Sequence, residues 1–139
     1  VGVVAATDID SGDILRASLE AMRQAVRALT PPPEILLVDA VAVPGVRIPQ
    51  IPIVHGDALS ASIAAASVVA KVHRDGLLDA LARRYPAYGF EQHKGYGTPE
   101  HWEALRLCGP CAEHRLTYHG VVPEHLEPVV ESLPTRRRG

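Results

Sequence analysis

The chain of 139 residues has few cysteines and little net charge. Two cysteines are too few for a disulfide scaffold and fit a reducing compartment, so we expect a cytoplasmic protein. A formal net charge of −2 gives no global attraction for a polyanion. A nucleic-acid site in this chain would therefore need a local basic patch.

Long apolar runs are also missing. No segment approaches the roughly 20 residues that span a bilayer, and no signal peptide is visible, so we expect no membrane partner. The 47% hydrophobic and 22% charged content is ordinary for a globular protein and argues against disorder. The length suits one domain or part of one. The chain begins without Met inside an apolar run, residues 1–6, that is typical of a strand, so we expect a fragment of a longer protein.

Regular apolar spacing predicts the elements that follow. Residues 14–29 repeat at helical spacing, and the prolines from position 31 end that helix. Residues 35–38 form a continuous apolar run that is typical of a buried strand, and residues 51–54 form a second. A helix of small side chains is predicted from 58 to 84 with one buried face, and a short helix begins with Thr98 as its N-cap.

A carboxylate follows each of the two predicted strands. Asp39 ends the first apolar run and Asp57 comes just after the second. If the strands are parallel neighbours, both acids meet at one edge of the sheet. Two carboxylates so placed suit a hard divalent cation such as Mg²⁺ or Mn²⁺. The plainer alternative is that each aspartate only caps the turn that follows it.

The segment His93-Lys94-Gly95-Tyr96-Gly97 is a second candidate site. Its glycines allow a ligand to approach the backbone, Lys94 can contact a phosphate, and Tyr96 can stack on a sugar or base. Phosphate contacts can also come from the cations Lys71, His73, Arg74 and Arg115. The alternative is an ordinary glycine-rich connector among solvated surface charges.

The Cys108-Gly109-Pro110-Cys111 segment resembles the redox motif of thioredoxins. There the first cysteine is activated at a helix N-terminus, whereas Cys108 is predicted at a helix C-terminus, where the dipole disfavours a thiolate. A zinc site would need further ligands, for which His101 and His114 are near in sequence. We weigh both roles as minor alternatives.

Several ordered stretches closely resemble ribonuclease HII. They are Gly56-Asp57, Ser62-Ile63-Ala64-Ala65-Ala66-Ser67, Ala70-Lys71-Val72, Arg74-Asp75, Tyr85-Pro86-x-Tyr88-Gly89-Phe90, His93-Lys94-Gly95-Tyr96-Gly97-Thr98 and His114-Arg115, together with the helix after residue 14. The resemblance implies an endonuclease that cleaves the RNA strand of RNA–DNA hybrids, including ribonucleotides embedded in DNA, using Mn²⁺ or Mg²⁺. It also implies a protein that is monomeric at full length.

Particular residues take roles from this resemblance. Asp39 matches the third catalytic acid of the family and Asp57 the fourth, both as metal ligands. Tyr96 matches the tyrosine that stacks at the junction of ribonucleotide and deoxyribonucleotide. Lys94, Lys71 and Arg74 fall in the substrate-facing region, and Arg115 lies in a matching stretch near its end.

One family segment has no match in this chain. Ribonuclease HII opens with Asp-Glu-Ala-Gly-Arg-Gly, which supplies the first two acids from the centre of a sheet ordered 3-2-1-4-5. By this alignment residues 1–6 are strand 3, and the strands ending at Asp39 and Asp57 are strands 4 and 5. We therefore expect an α/β, ribonuclease H-like fold with a mixed sheet flanked by helices, incomplete because its central strands are missing, with short C-terminal helices.

This alignment divides the chain in two and leaves its outer strands without a central partner. We expect a partial catalytic domain over residues 1–118 and a partly disordered C-terminal extension over 119–139, with a short helix within 121–133. The apolar faces of the outer strands should be partly exposed. The rival function is a non-catalytic nucleic-acid-binding module that keeps the Tyr96 loop, and a thiol redox protein is a third.

The isolated 139 residues should cleave little or no RNA–DNA hybrid, because two of the four family acids have no counterpart here. A hybrid carrying one ribonucleotide, incubated with the chain and Mn²⁺, is the direct assay. Robust Mn²⁺-dependent cleavage would overturn this expectation.

Overall fold

A computed structural model describes residues 1–122. It is a mixed α/β structure, as predicted, with two strands and six α-helices in the described part. The strands are β1, Leu36–Asp39, and β2, Gln50–Ile53. The helices are α1, Ala6–Asp10; α2, Ile14–Arg27; α3, Gly56–Leu59; α4, Ala61–Arg84; α5, Phe90–His93; and α6, Pro99–Cys108, with a 3-10 helix at Pro86–Tyr88. The predicted helix within 121–133 and most of the extension lie outside the described residues.

The two strands pair in parallel, which confirms the predicted arrangement. Asp39 is in register with Ile53, so both strands end at the same edge of the sheet. The sheet has no third strand among residues 1–122. Leu36 and Val38 point into a small core with Val43, while the side chain of Leu37, on the opposite face, is exposed.

Local sequence signals account for three of the helices. The Asp13 carboxylate accepts a hydrogen bond from the Arg16 amide at 2.8 Å and caps α2. The Thr98 hydroxyl accepts one from the His101 amide at 3.3 Å and caps α6, as predicted. Ser60 caps α4 in the same way, and its extended backbone separates α3 from α4. The single helix predicted over 58–84 is therefore wrong at its start.

The predicted strand at residues 1–6 is also wrong. Residues 1–5 form no regular element, and a short helix begins at Ala6. The apolar run lies instead against α2, where the Val3 amide donates a hydrogen bond to the Gln24 side chain at 3.2 Å. An apolar run becomes a strand only when another strand pairs with it, and none does so in the described part of the chain.

An open apolar cleft lies between α2, β1 and α4. It has a volume of about 510 Å³, and its walls include Met22, Leu37, Ile63 and Val69. Of the 24 residues of α4, Ile63 and Ala82 are buried, whereas Val68, Val69 and Val72 are each more than half exposed. The small-residue face of α4 is thus largely uncovered, contrary to the predicted buried face. The apolar side chains of the strands, expected to be partly exposed or repacked, are partly exposed at Leu37 and Ile51.

A second core packs the C-terminal half around the only phenylalanine. Phe90 is buried with Tyr88, Ala104, Leu105 and Val121. The Tyr88 and Phe90 rings stack with centroids 5.4 Å apart. This core fixes α5 and α6 against the second half of α4, and so it sets the position of the loop between them.

Two glycine substitutions should change stability in opposite directions. A Cβ at Gly56 would lie 2.6 Å from Ile63 Cδ1 and 3.4 Å from Asp39 Cα, so Gly56→Ala should destabilise the fold by about 1–3 kcal/mol through overpacking. Gly76 lies within α4 with nothing within 4 Å of its Cβ position, so Gly76→Ala should stabilise it by about 0.5–1 kcal/mol. Urea unfolding of both variants measures the difference, and equal effects would contradict the packing described here.

Candidate active site

Asp39 is held at the end of β1 by the chain that follows β2. Its Oδ1 accepts a hydrogen bond from the Gly56 amide at 2.9 Å, while its side chain stays exposed to solvent. Ala40 next to it has a φ of 61°, which turns the chain away from the strand and leaves the carboxylate at the edge. Sequence reasoning found Asp39 but not its contact with Gly56.

Asp57 lies in the first turn of α3, beside the residue that Asp39 contacts. His55 has a φ of 56°, and this left-handed turn directs the chain from β2 into α3. A turn of the backbone therefore brings both carboxylates to one edge of the sheet, as the strand pattern predicted. Both side chains are exposed, so a ligand can reach them.

The two acids have the right chemistry for a hard cation but supply few ligands. Neither forms an ion pair with a cation within residues 1–122. No group of three or more possible ligand side chains gathers at one point in this part of the chain. Two carboxylates can hold part of the oxygen shell of Mg²⁺ or Mn²⁺, with water and substrate oxygens taking the rest.

A second group of predicted residues surrounds Tyr96. Its ring is exposed, and the guanidinium of Arg74, on α4, lies 5.2 Å from the ring centroid. Arg74 Nη2 also donates a hydrogen bond to the Lys94 carbonyl at 2.9 Å. Lys94 has a φ of 49° and Gly95 a φ of 76°, so the loop turns sharply there and presents the tyrosine. Arg74, Lys94 and Tyr96 form one surface, which we call the Tyr96 surface.

The lysines near this surface are paired with acids of α4. Lys94 forms an ion pair with Asp79, which the sequence reasoning missed. Lys71 Nζ lies 2.6 Å from Asp75 Oδ2, and this hydrogen bond raises the pKa of Lys71 and lowers that of Asp75. The basic patch predicted from the sequence is therefore partly neutralised. Each lysine would have to leave its carboxylate before it could contact a phosphate.

Arg115, the remaining predicted contact, has different neighbours. Its guanidinium lies 4.6 Å from the centroid of the Tyr118 ring. Asp10, at the end of α1, accepts hydrogen bonds from the Leu116 amide at 2.7 Å and from the Thr117 hydroxyl at 2.6 Å. The Thr117 hydroxyl is the main cause of the lowered pKa of Asp10. These contacts tie the segment of Arg115 to α1, whereas the Tyr96 surface is built on α4.

The two cysteines have the surroundings of unactivated thiols. Cys108 is the last residue of α6, at the helix end predicted for it, and is exposed. Burial raises the pKa of the Cys111 thiol, which is the reverse of the shift that activates a redox cysteine. A thiol redox function gains no support from these environments.

Comparisons with known proteins place the chain in a family. The model of the ribonuclease HII family matches residues 2–120. A ribonuclease HII of Geobacillus kaustophilus is 57% identical over 118 residues, covering 85% of this chain and 45% of that protein. One from Lactobacillus delbrueckii subsp. bulgaricus is 54% identical, covering 87% and 47%. One from Nocardia farcinica is 45% identical, covering 97% and 55%.

The chain thus spans about half the length of the curated relatives it matches. No helix in the described part is both long and apolar enough to cross a membrane. The family model covers nearly all of the described residues, including the strand ends with Asp39 and Asp57 and the Tyr96 surface. On this match, the chain belongs to the ribonuclease HII family.

Proposed function

We propose that this chain forms part of an endonuclease that hydrolyses the RNA strand of RNA–DNA hybrids, including single ribonucleotides embedded in DNA. Water oxygen bonds to phosphorus while the bond from phosphorus to the 3′ oxygen breaks. The products are a 5′-phosphate and a 3′-hydroxyl end. The observation that carries this proposal is the pair Asp39 and Asp57 at one sheet edge in a chain of the ribonuclease HII family.

Asp39 and Asp57 are the residues that we propose to bind a divalent cation. The hydrogen bond from Gly56 fixes one oxygen of the Asp39 carboxylate, and the residue is exposed. The chemistry that Mg²⁺ or Mn²⁺ supplies in such sites is activation of the attacking water and stabilisation of the leaving oxygen. Because two carboxylates are few for this task, we propose that the acting enzyme contains further acids.

The Tyr96 surface is the part that we propose to hold the nucleic acid. An exposed aromatic ring backed by a guanidinium can stack on a base or sugar and still accept different sequences. Lys94 and Lys71, together with Arg74, would contact phosphates once their ion pairs with Asp79 and Asp75 open. Arg115 would contact the nucleic acid from the segment tied to α1.

A non-catalytic nucleic-acid-binding module is the second candidate function. The gathering of Arg74, Lys94 and Tyr96 on one surface favours it, since this surface is complete without further acids. The two functions differ in one respect that can be measured. Binding that persists after both Asp39 and Asp57 are neutralised, with no cleavage at any stage, is the result that the module predicts.

A chimera tests catalysis by these two acids. This chain replaces the matching segment of the Geobacillus kaustophilus relative, and the chimera is assayed with Mn²⁺ on a duplex carrying one ribonucleotide. We expect cleavage, and we expect Asp39→Asn or Asp57→Asn to lower kcat by about 100-fold or more, the scale of losing a major electrostatic group. Asn at position 39 can still accept the Gly56 hydrogen bond, so the fold is kept.

The outcomes separate the two functions. Asp13→Asn is the matched control, because Asp13 caps α2 and Asn caps helices equally well. Full cleavage by a chimera that carries both Asp39→Asn and Asp57→Asn would show that these acids are not catalytic. Hybrid binding without cleavage by the unchanged chimera would favour the binding module.

Stacking by Tyr96 should contribute directly to hybrid affinity. Tyr96→Ala should weaken binding by about 1–3 kcal/mol, the range measured for base–aromatic stacking, while Tyr96→Phe should keep most of the affinity. Leu107→Ala is the control, because it also truncates an exposed apolar side chain and takes no part in the proposed contacts. Fluorescence anisotropy of a labelled hybrid measures all three. Equal losses for Tyr96→Ala and Leu107→Ala would contradict a specific role for Tyr96.

A further inference from the structure

Three histidines are buried together beneath the Tyr96 surface. His93 ends α5, His101 lies in the first turn of α6, and His114 follows α6, and each is less than a tenth exposed. Their rings surround Phe90, and the rings of His93 and His101 stack with centroids 4.3 Å apart. Neither the proposed catalysis nor the proposed nucleic-acid contacts use these side chains.

A chain of hydrogen bonds links two of these rings to the backbone of Tyr96. His101 Nδ1 lies 2.9 Å from the Tyr96 carbonyl oxygen, which can only accept, so Nδ1 carries a proton. His101 Nε2 lies 3.0 Å from His114 Nε2, and in a neutral His101 ring it must accept from His114. His114 Nδ1 in turn accepts from the Cys111 amide at 3.0 Å. One set of neutral rings satisfies every atom in this chain.

The third ring fixes the other side of the same loop. His93 Nε2 lies 2.6 Å from the Tyr88 carbonyl oxygen and donates to it. His93 Nδ1 then accepts from the Gly95 amide at 3.1 Å. Two consecutive residues of the loop, Gly95 and Tyr96, are therefore held by ring nitrogens of neutral histidines.

Adding a proton to these rings breaks the arrangement. A protonated imidazole donates from both nitrogens, so His93 and His101 would each turn an N–H toward a group that is itself a donor. The Nδ1–H of a protonated His114 would face the Cys111 amide, with the Cys111 sulfur, a weak acceptor, 3.1 Å away. Burial lowers the pKa of His101 and of His114, as expected for rings that favour the neutral form. The loop freed from the rings binds more protons than the held loop, so a fall in pH favours release.

Other ionisable side chains also lie near the three histidines. The Tyr88 phenol and the Cys111 thiol lie within it, and burial raises the pKa of both. Glu100 and Glu113 lie at its edge. From α4, Arg74 and Asp79 reach the loop, where they contact the carbonyl and the ammonium of Lys94.

We propose that His93, His101 and His114 are positioning residues: their neutral rings form a relay that holds the Tyr96 loop in its binding geometry, and protonation of the relay releases it. The effect on ligands rests on the proposed function, because it requires that Tyr96 contacts nucleic acid. The geometry of the relay does not depend on that function. The chemistry of the rings predicts a loop that is set above the ordinary histidine pKa and released below it.

The only tryptophan reports on this loop. Trp102 Nε1 donates a hydrogen bond to the Gly97 carbonyl at 3.1 Å, so its fluorescence should respond when the loop moves. A titration of the 139-residue chain from pH 8 to pH 5 should show a transition below the ordinary histidine pKa of about 6.5. His101→Asn keeps a donor for the Tyr96 carbonyl but removes the ring that links Tyr96 to His114, so its transition should have a smaller amplitude than that of the unaltered chain. His73→Asn, an exposed histidine of α4, should keep the full transition.

A second readout uses the unaltered chain and so does not depend on the folding of a variant. Nitrogen-15 NMR at pH 7.5 should show neutral rings protonated at Nδ1 in His101 and at Nε2 in His93 and His114. A charged ring, or the opposite tautomer in His101, would overturn the relay. A transition of unchanged amplitude in His101→Asn would also overturn it.

Hybrid binding, measured over the same pH range, separates the relay from the proposed function. Affinity should fall on acidification, because the released loop binds more protons than the held loop. Added positive charge alone would strengthen binding to a polyanion, so the sign distinguishes the two effects. An affinity that rises at low pH would overturn the release. If no hybrid binds at any pH while the predicted ring states are found, the relay stands and the nucleic-acid function fails.

Discussion

The hydrogen bond from the Gly56 amide to Asp39 is the contact on which the first half of the structure depends. The sheet has only two short strands in the described residues, and such a pair is marginal without further support. Because Gly56 has no side chain, the start of α3 can lie against both Asp39 and Ile63. The same contact fixes the end of β1, the start of α3 and the approach of α4. The sheet edge that carries Asp39 and Asp57 therefore depends on a close approach that a side chain at position 56 would disturb.

Two helices could be predicted from the sequence because their signals are local. The helix α2 has an apolar stripe and an Asp13 cap, and α6 has Thr98 and Pro99 at its start. The run at residues 1–6 was predicted as a strand and is not one, because a strand depends on a distant partner that its own residues do not reveal. The break at Ser60 was missed for a similar reason. The Ala- and Ser-rich sequence on both sides of it suits one continuous helix.

The part of the candidate site that could be predicted is the part that follows from the order of the strands. Asp39 and Asp57 follow neighbouring strands, and parallel pairing brings them to one edge. Contacts between distant segments gave no signal in the sequence. Thr117 hydrogen-bonds to Asp10 across 107 positions, and Lys94 pairs with Asp79 across 15. The three buried histidines were hidden as well, since a histidine in a sequence looks the same whether it faces solvent or a neutral hydrogen-bond network.

The long helix α4 connects the sheet edge that carries Asp39 and Asp57 to the Tyr96 surface. Ile63 in its first turn lies beneath Gly56, and Arg74 lies beside Tyr96. Each residue of an α-helix advances by 1.5 Å and turns by about 100°. The eleven steps between these residues thus set both a spacing of about 16 Å and a fixed angle. A single insertion or deletion between them would therefore rotate the whole Tyr96 surface by about 100° relative to the sheet edge that carries Asp39 and Asp57.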